Sequence, residues 1–296
     1  MDLQKIRYFL VLAEELHFWR TAERVFISQS SLSRHMQALE EELGIKLLER
    51  DKRNVKLTDA GKFLQKQWRV KVRELDHIQS QAKKISEGEA GGVSITYPGS
   101  IAFKFLPLFL DNLNSKLPNL KIELTEPTDE NHEKLLLDYK ADIAFGRDRI
   151  ENSSIETYQL YAEPVCLIVP KAHWLTQENF VSLKDLQNER FILSGLHQKT
   201  FFASFLRNLF HNYDFEPQVL IESDFGGMIL SLVSKGLGIT ILPSSFSYAK
   251  AENVRFIELD EEIGLFMNWR KNELNKAIER VVECGKETAM LYSRLL

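Results

Sequence analysis

Along the first sixty residues, apolar positions recur at three- and four-residue steps in three short runs, the spacing of amphipathic helices. Leu3, Ile6, Leu10 and Ala13 predict one helix, and "FWRTAERVF" a second with Ala22 and Val25 facing inward. "ISQS" interrupts the pattern. Ser28 is placed to cap a third helix, because its hydroxyl can accept an orphan backbone N–H. Leu32, Met36, Leu39 and Leu43 form the buried stripe of that helix, and Gly44 closes it. "KLLER" and "NVKLT" flank a charged turn and predict a two-stranded hairpin. Thr58 then opens a long helix on which Leu64, Trp68, Val72, Leu75, Ile78, Ala82 and Ile85 keep helical spacing. That stripe covers about 28 residues, roughly 40 Å at 1.5 Å per residue. It finds cover either on its own domain or on a second copy of itself, and its length favours the second copy. "EGEAGG", residues 87–92, breaks the helix and reads as a hinge.

From residue 93 the period changes. "VSITYP", "LKIELTE", "ADIAFG", "PVCLIVP", "RFILS", "QVLIES", "GITILP", "VRFIEL" and "IGLFMNW" predict strands. Helices are expected between them, near 101–113, 129–139, 199–211, 226–235 and 273–292. Alternation of this kind implies an α/β architecture with a mostly parallel sheet and helices on both faces. Nearly 200 residues of it suggest two subdomains with a cleft between them.

Length changes the picture little: 296 residues suit two or three domains, and 44% hydrophobic with 27% charged residues suits packed cores. No apolar run approaches the ~18 residues a membrane span needs. "MDLQKIRYFLVLAEELHF" lacks a small-residue cleavage site, so no signal peptide is expected. Two cysteines, Cys166 and Cys284, exclude a disulfide scaffold and fit a reducing cytoplasm. Net charge is −4; residues 1–60 hold ten Lys/Arg against ten Asp/Glu. The useful charge is local. "KLLERDKRNVK", residues 46–56, carries Lys46, Arg50, Lys52, Arg53 and Lys56 against Glu49 and Asp51. Such a patch can meet phosphates although the surrounding domain is neutral, or it can be an ordinary solvated loop.

The second and third helices make a helix-turn-helix candidate, whose second helix would place its N-terminal residues against base edges. Gln29, Ser33 and Gln37 lie four apart on one strip of that helix, and Ser30 and Arg34 on the next. Gln suits adenine, Arg guanine and Ser either. Glu40, Glu41 and Glu42 stand at the far end, unfavourably near the negative end of the helix dipole. On pattern alone, DNA reading and a plain surface helix are both open.

"RYFLVLAEELHFWRTAERVFISQSSLSRHMQALEEELGIKLLERDKRNVKLTDAG" resembles the winged helix-turn-helix of LysR-type transcriptional regulators. The matched string runs through "AE", "AERV", "SQSSLSR", "ALEEELG" and "LLER" to "LT" and "AG". "SLVSKGLGITILP" is similar to a late segment of the same family. Trp19 and Thr21 depart from it, standing where the family more often has a small polar residue and alanine. The resemblance implies an α/β multidomain chain. Residues 1–58 would be the DNA-binding domain, 59–87 a linker and dimerisation helix, 88–92 a hinge and 93–296 an effector-binding domain like periplasmic solute-binding proteins. Its two subdomains would be about 93–163 with 268–296, and about 164–267. It further implies a homodimer or homotetramer, double-stranded operator DNA and RNA polymerase as partners, no membrane, and no cofactor. "YPGSIAFKFLP", "LKIELTEPT", "ADIAFGR" and "LFMNWRKNE" are most similar to regulators of aromatic-compound degradation, including those sensing muconate or benzoate.

In open α/β sheets, ligands bind beyond the carboxyl ends of the strands. "GS" at 99–100 and "PT" at 127–128 each follow a strand and are expected to open a helix, offering N–H groups, dipoles and the Ser100 and Thr128 hydroxyls to an anion. Simple helix capping explains the same residues. Ser100 and Thr128 are the effector positions that the resemblance implies, and Ile101, next to Ser100, is a further candidate. Phe201 and Phe202 could lie against an aromatic or diene ligand, or be core. Arg147 could hold a ligand carboxylate or make a structural ion pair. Enzyme motifs are missing: no G-x-S-x-G, H-E-x-x-H, P-loop or G-x-G-x-x-G occurs, and no histidine pairs with cysteine at metal spacing. The expectation is a regulator controlled by a small carboxylate. An oxidation-responsive regulator without such an effector, and an α/β solute-binding or enzymatic protein with an appended helical domain, are the rivals.

Overall fold

A computed structural model describes residues 2–50, 55–86, 92–127, 131–196, 200–271, 273 and 275–294. Lys52, Arg53, Thr128 and most of the expected hinge lie outside the described residues. The chain divides into two compact units, 1–86 and 87–296.

In the first unit, α1 (Leu3–Glu15) is capped by Asp2, which accepts the Gln4 N–H at 3.0 Å. Its buried face is Ile6, Phe9, Leu12 and Ala13, so the expected stripe is rotated: Leu10 is only half-buried. The larger Phe9 takes the core position. α2 (Phe18–Arg24) and α3 (Gln29–Leu43) follow. Thr21, the departure on α2, is buried, and its hydroxyl donates to His17 O at 2.9 Å. Ser28 caps α3 as expected, accepting the Ser31 N–H, and Gly44 ends it at φ +69°. β1 (Leu48–Arg50) and β2 (Val55–Leu57) pair antiparallel, Leu48 opposite Leu57. Phe9, Leu12, Met36, Leu39, Leu47 and Leu48 form one core under these elements.

The long helix α4 spans Asp59–Ser86. Thr58 anchors its start twice, accepting the Gly61 N–H at 2.9 Å and donating to Lys46 O at 2.7 Å. Gly61 passes so close to the hairpin that a β-carbon there would meet Leu47 O at 2.2 Å. Leu64 and Trp68 pack on the unit's core and Val72 is buried, whereas Leu75 is 42% and Ile78 48% exposed. The stripe thus changes character along its length: among its described side chains Leu64, Trp68 and Val72 are used by their own unit, whereas Leu75, Ile78 and Ala82 are exposed.

In the second unit, a six-stranded sheet has the order β4-β3-β5-β10-β6-β9. Its strands are β3 (Val93–Thr96), β4 (Ile122–Thr125), β5 (Ile143–Gly146), β6 (Ile155–Pro170), β9 (Thr240–Pro243) and β10 (Val254–Arg270). β3 pairs parallel with β4 and β5, but β10 is antiparallel to β5 and β6, and β6 to β9. The sheet is therefore mixed, not mostly parallel. The cause is the pair of long strands, 16 and 17 residues, that run in opposite directions through the whole unit. "PVCLIVP" is only the second half of β6, and the two segments expected around residue 260 are one strand with a register shift between Glu258 and Glu262. β7 (Arg190–Leu193) and β8 (Gln218–Glu222) form a small parallel sheet.

The long pair carries two regions of core. At one end Ile95, Phe105, Phe109, Ile143, Phe145, Leu265, Met267 and Tyr292 pack together with helices α5 (Phe105–Lys116) and α9 (Lys276–Tyr292). At the other end β6 alternates: Val165, Leu167 and Val169 face α7 (Phe201–Asn212), while Cys166 and Ile168 face α8 (Gly226–Ser234). α6 (His132–Leu137) is shorter than the helix expected over 129–139.

Leu75→Glu is expected to leave helicity intact and lower the molar mass measured by light scattering, because it puts charge among the exposed apolar side chains Leu75 and Ile78 of the α4 stripe. An unchanged mass would show that these side chains do not form an interface between copies.

Candidate nucleic-acid interface and effector cleft

On α3, Gln29, Ser30, Arg34 and Gln37 are exposed and Ser33 is half-buried, opposite the Leu32, Met36 and Leu39 stripe. Gln37 donates to Glu41 Oε1 at 2.9 Å. Arg34 has no ion-pair partner among the described residues, so its guanidinium is available to an acceptor outside the chain. Arg50 and Lys56 sit on the hairpin strands, Lys56 opposite Glu49 and exposed. The three glutamates at the end of α3 have a structural explanation that the sequence did not offer. Glu40 is buried, accepts the Leu47 and Leu48 N–H groups at 2.8 and 3.1 Å, and pairs with Lys46 at 3.2 Å. Glu42 pairs with Lys5. Glu40 therefore clamps the hairpin to α3, and its charge is spent inside the fold.

In the second unit, Ser100 does not open a helix. It lies in a 3-10 turn, Gly99–Ile101, and α5 starts only at Phe105. The turn ties Ile101 N–H to Pro98 O and Ala102 N–H to Gly99 O, which leaves the Gly99 and Ser100 N–H groups leading it. Ser100 is nearly buried, and its oxygen accepts from Arg147 Nη2 at 2.6 Å and Nε at 3.2 Å. Its own O–H remains to be donated. Ile101 is a core residue.

Arg147 reaches Glu163 Oε1 at 2.6 Å, and both side chains are buried. Glu163 Oε2 also accepts from Ser244 Oγ at 2.9 Å and from Ser245 N–H at 2.5 Å. Of the two readings of Arg147, the ion pair is the one present in this structure. Glu163, Ser244 and Ser245 were missed in the sequence. The available signal was the acid inside "YAEPVCLIV", since a carboxylate in an apolar strand requires a partner.

The Ser100 turn packs against α8 and the 3-10 segment Ser244–Ala249, with the Phe103 and Phe246 rings 5.8 Å apart. Phe201 opens α7 behind its cap Thr200 and is 43% exposed. Phe202 is half-buried, packs against two of the core regions and stacks on Phe205 with ring centroids 5.9 Å apart, which favours the packing role over ligand contact. Glu126 lies over Gly99, where desolvation pushes its carboxyl above the usual range. His132, held 3.2 Å from Thr96 Oγ1, is pulled below the ordinary imidazole value by burial, against the opposing effect of Asp148.

The family model for bacterial regulatory helix-turn-helix proteins of the lysR family matches residues 3–62, and that for the LysR substrate binding domain matches 86–289. The chain belongs to the LysR family. It is 30% identical to the transcriptional regulator AlsR of Bacillus subtilis over 287 residues, covering 95% of this chain and 94% of AlsR. It is 34% identical to BenM of Acinetobacter baylyi over 262 residues, covering 88% and 86%. Its fold is similar to that of full-length CbnR bound to its target DNA, with a TM-score of 0.56, 25% identity and coverage of 98% and 100%. These relatives make it a LysR-type transcriptional regulator and not an enzyme, with a DNA-binding half and an effector-binding half. Among the described residues no helix is long and apolar enough to cross a membrane.

Within this LysR-type chain, Glu163→Ala would leave the Arg147 cation buried without its counter-charge. We expect the effector-binding half to lose ~3–5 kcal/mol in urea denaturation. The double change Arg147→Met with Glu163→Leu should recover most of that loss. A single-variant loss below ~1 kcal/mol would show that water reaches the pair.

Proposed function

We propose that this LysR-type regulator reads operator DNA through Gln29, Ser30, Ser33, Arg34 and Gln37, and is switched by a small carboxylate bound beside Ser100. The observation that carries the first part is the exposed polar strip of α3, with Arg34 free of ion pairing among the described residues. The hairpin bases Arg50, Lys52, Arg53 and Lys56 would meet phosphates. In this reading the protein works in the cytoplasm as a homodimer or homotetramer joined through α4, and it communicates with RNA polymerase. Residues 59–87 act as linker and 88–92 as hinge.

The effector reading rests on the Ser100 turn, which offers leading N–H groups and an unspent O–H at the carboxyl end of β3. Thr128 and Phe201 complete the site in this reading, while Phe202 and Ile101 support it from the core. Arg147, neutralised by Glu163, orients Ser100. A ligand carboxylate that drew Arg147 toward itself would loosen Glu163 from its partners. An aromatic acid or muconate-like diacid is the class favoured by the resemblance of "YPGSIAFKFLP" and "LKIELTEPT" to regulators of aromatic-compound degradation. The oxidation-responsive rival has little support. Cys166 is buried, its thiol pushed up to about 12 by desolvation, and Cys284 is buried in a different core and also raised. Thiols held protonated react slowly with oxidants.

Arg34→Ala is expected to cost ~1–3 kcal/mol on a specific duplex and to relax base preference at one position. Lys52→Ala or Arg53→Ala should weaken all sequences alike and reduce the salt slope by about one. Fluorescence anisotropy at several salt concentrations reads both; unchanged specific binding by Arg34→Ala would show that a different face of α3 reads DNA.

Calorimetric titration tests the cleft. With a carboxylate found by thermal-shift screening, Ser100→Ala should bind roughly ten- to a hundredfold more weakly, the worth of one charge-assisted hydrogen bond. Equal affinities would remove Ser100 from the site, and stabilisation by no carboxylate would sink the effector class.

A further inference from the structure

The helix that leads into α3 ends on a residue poorly suited to its conformation. α2 closes with a paired arrangement: Phe26 N–H donates to Glu23 O at 3.2 Å, and Ile27 N–H to Ala22 O at 3.0 Å. This closure puts the residue after the helix cap in the left-handed region, where glycine or asparagine is favoured because a β-carbon crowds the backbone. The residue here is Phe26, at φ +56°. α3 ends on Gly44 at φ +69°, the residue the geometry favours. A bulky aromatic in this region is an outlier.

Phe26 is not buried in return. It is 94% exposed, the most exposed large apolar side chain among the described residues, and it is not among the side chains packed on the core of its unit. Trp19, also exposed, at least donates its indole N–H to Glu23 at 3.0 Å. Phe26 stands two residues before the cap Ser28 and three before Gln29, where α3 begins. Strain combined with exposure, beside a functional element, is the signature of a contact made outside the chain.

We propose that Phe26 is a DNA-contacting residue that lays its ring on the apolar surface of the duplex at the entrance to the major groove. It rests on the reading of α3 as the recognition helix. The partner would be a thymine C5-methyl group or the face of a deoxyribose, the two apolar surfaces that DNA offers there. Continuity selects DNA over other partners, since Phe26 adjoins the end of α3 that enters the groove in helix-turn-helix proteins. The contact carries no charge, so it adds affinity without adding to the salt slope.

Full-length protein, Phe26→Gly and Phe26→Asn are compared on a duplex that the wild type selects from a random-sequence pool. Both variants are expected to melt about 1–4 °C higher, because each suits the left-handed position. Both should bind the duplex roughly tenfold more weakly, at an unchanged salt slope. Repeating the titration with uracil in place of thymine separates the two surfaces. If the methyl group is the partner, wild type falls to the level of the variants and the variants fall no further; if it is the sugar, uracil affects all three alike. Higher melting with unchanged affinity would overturn the proposal, and so would lower melting, which would make Phe26 structural. Lost transcriptional activation with intact DNA affinity would assign Phe26 to a protein partner instead. Selection of a duplex that is weakened by Arg34→Ala but not by the Phe26 variants would reject this inference alone. Selection of no duplex would reject the reading of α3 with it.

Discussion

A carboxylate taken out of water must be answered by donors or a cation, and the effector-binding half is organised around one that is. Glu163 sits on β6 and collects Arg147 from the end of β5, the Ser244 hydroxyl and the Ser245 N–H from the turn after β9. Arg147 in turn fixes Ser100 beyond β3. One ion pair thus holds together four pieces of chain separated by as much as 145 residues in the sequence, Ser100 to Ser245. Its donors are matched to both carboxylate oxygens, the condition under which a buried pair offsets its desolvation. The DNA-binding half uses the same device on a smaller scale. Glu40 takes two backbone N–H groups and Lys46, and so fixes the hairpin against α3.

Such a pair is strong but not inert. Arg147 divides its donors between Ser100 and Glu163, and any anion reaching Ser100 competes for the same guanidinium. A ligand that won part of it would leave Glu163 less well matched, and the Ser244–Ala249 segment would feel the change directly. Regulation needs two arrangements with different ligand affinity, and a shared cation is a physical means of having two. Coupling of this kind acts equally in both directions for binding.

Wherever local spacing decides the outcome, the sequence was a good guide. The Ser28 cap, the Gly44 stop, the Thr58 start and the hairpin all follow from residues within a few positions of one another, and each lies where expected. Apart from the rotated stripe of α1 and the length of α6, the differences are non-local. The sequence pattern breaks the two long strands into fragments, because the acidic stretch "DEE" interrupts β10 and "ETYQ" weakens the alternation of β6. Their antiparallel pairing, which makes the sheet mixed, joins residues about a hundred positions apart. Ser100 was expected to open a helix because it follows a strand and precedes apolar residues; the partner that instead occupies its hydroxyl, Arg147, is distant in sequence. The two faces of α3 were legible as a polar strip over an apolar stripe. The burial of Glu40 was not, since nothing in three consecutive glutamates distinguishes the one that turns inward.

Charge arithmetic failed for a related reason. Residues 1–60 sum to zero, which argues against a nucleic-acid surface only if every charge faces the same solvent. Much of the charge is cancelled in place: Lys5 by Glu42, Arg7 by Asp76, Arg24 by Glu14 and Glu15, and Lys46 by Glu40. These pairs contribute little field beyond a Debye length, about 10 Å at 0.1 M salt. Arg34 on α3 and Lys56 on the hairpin have no ion pair among the described residues, and both lie on the elements proposed to meet DNA. A polyanion senses this uncancelled remainder and its position, so a domain of zero net charge can still present a positive face.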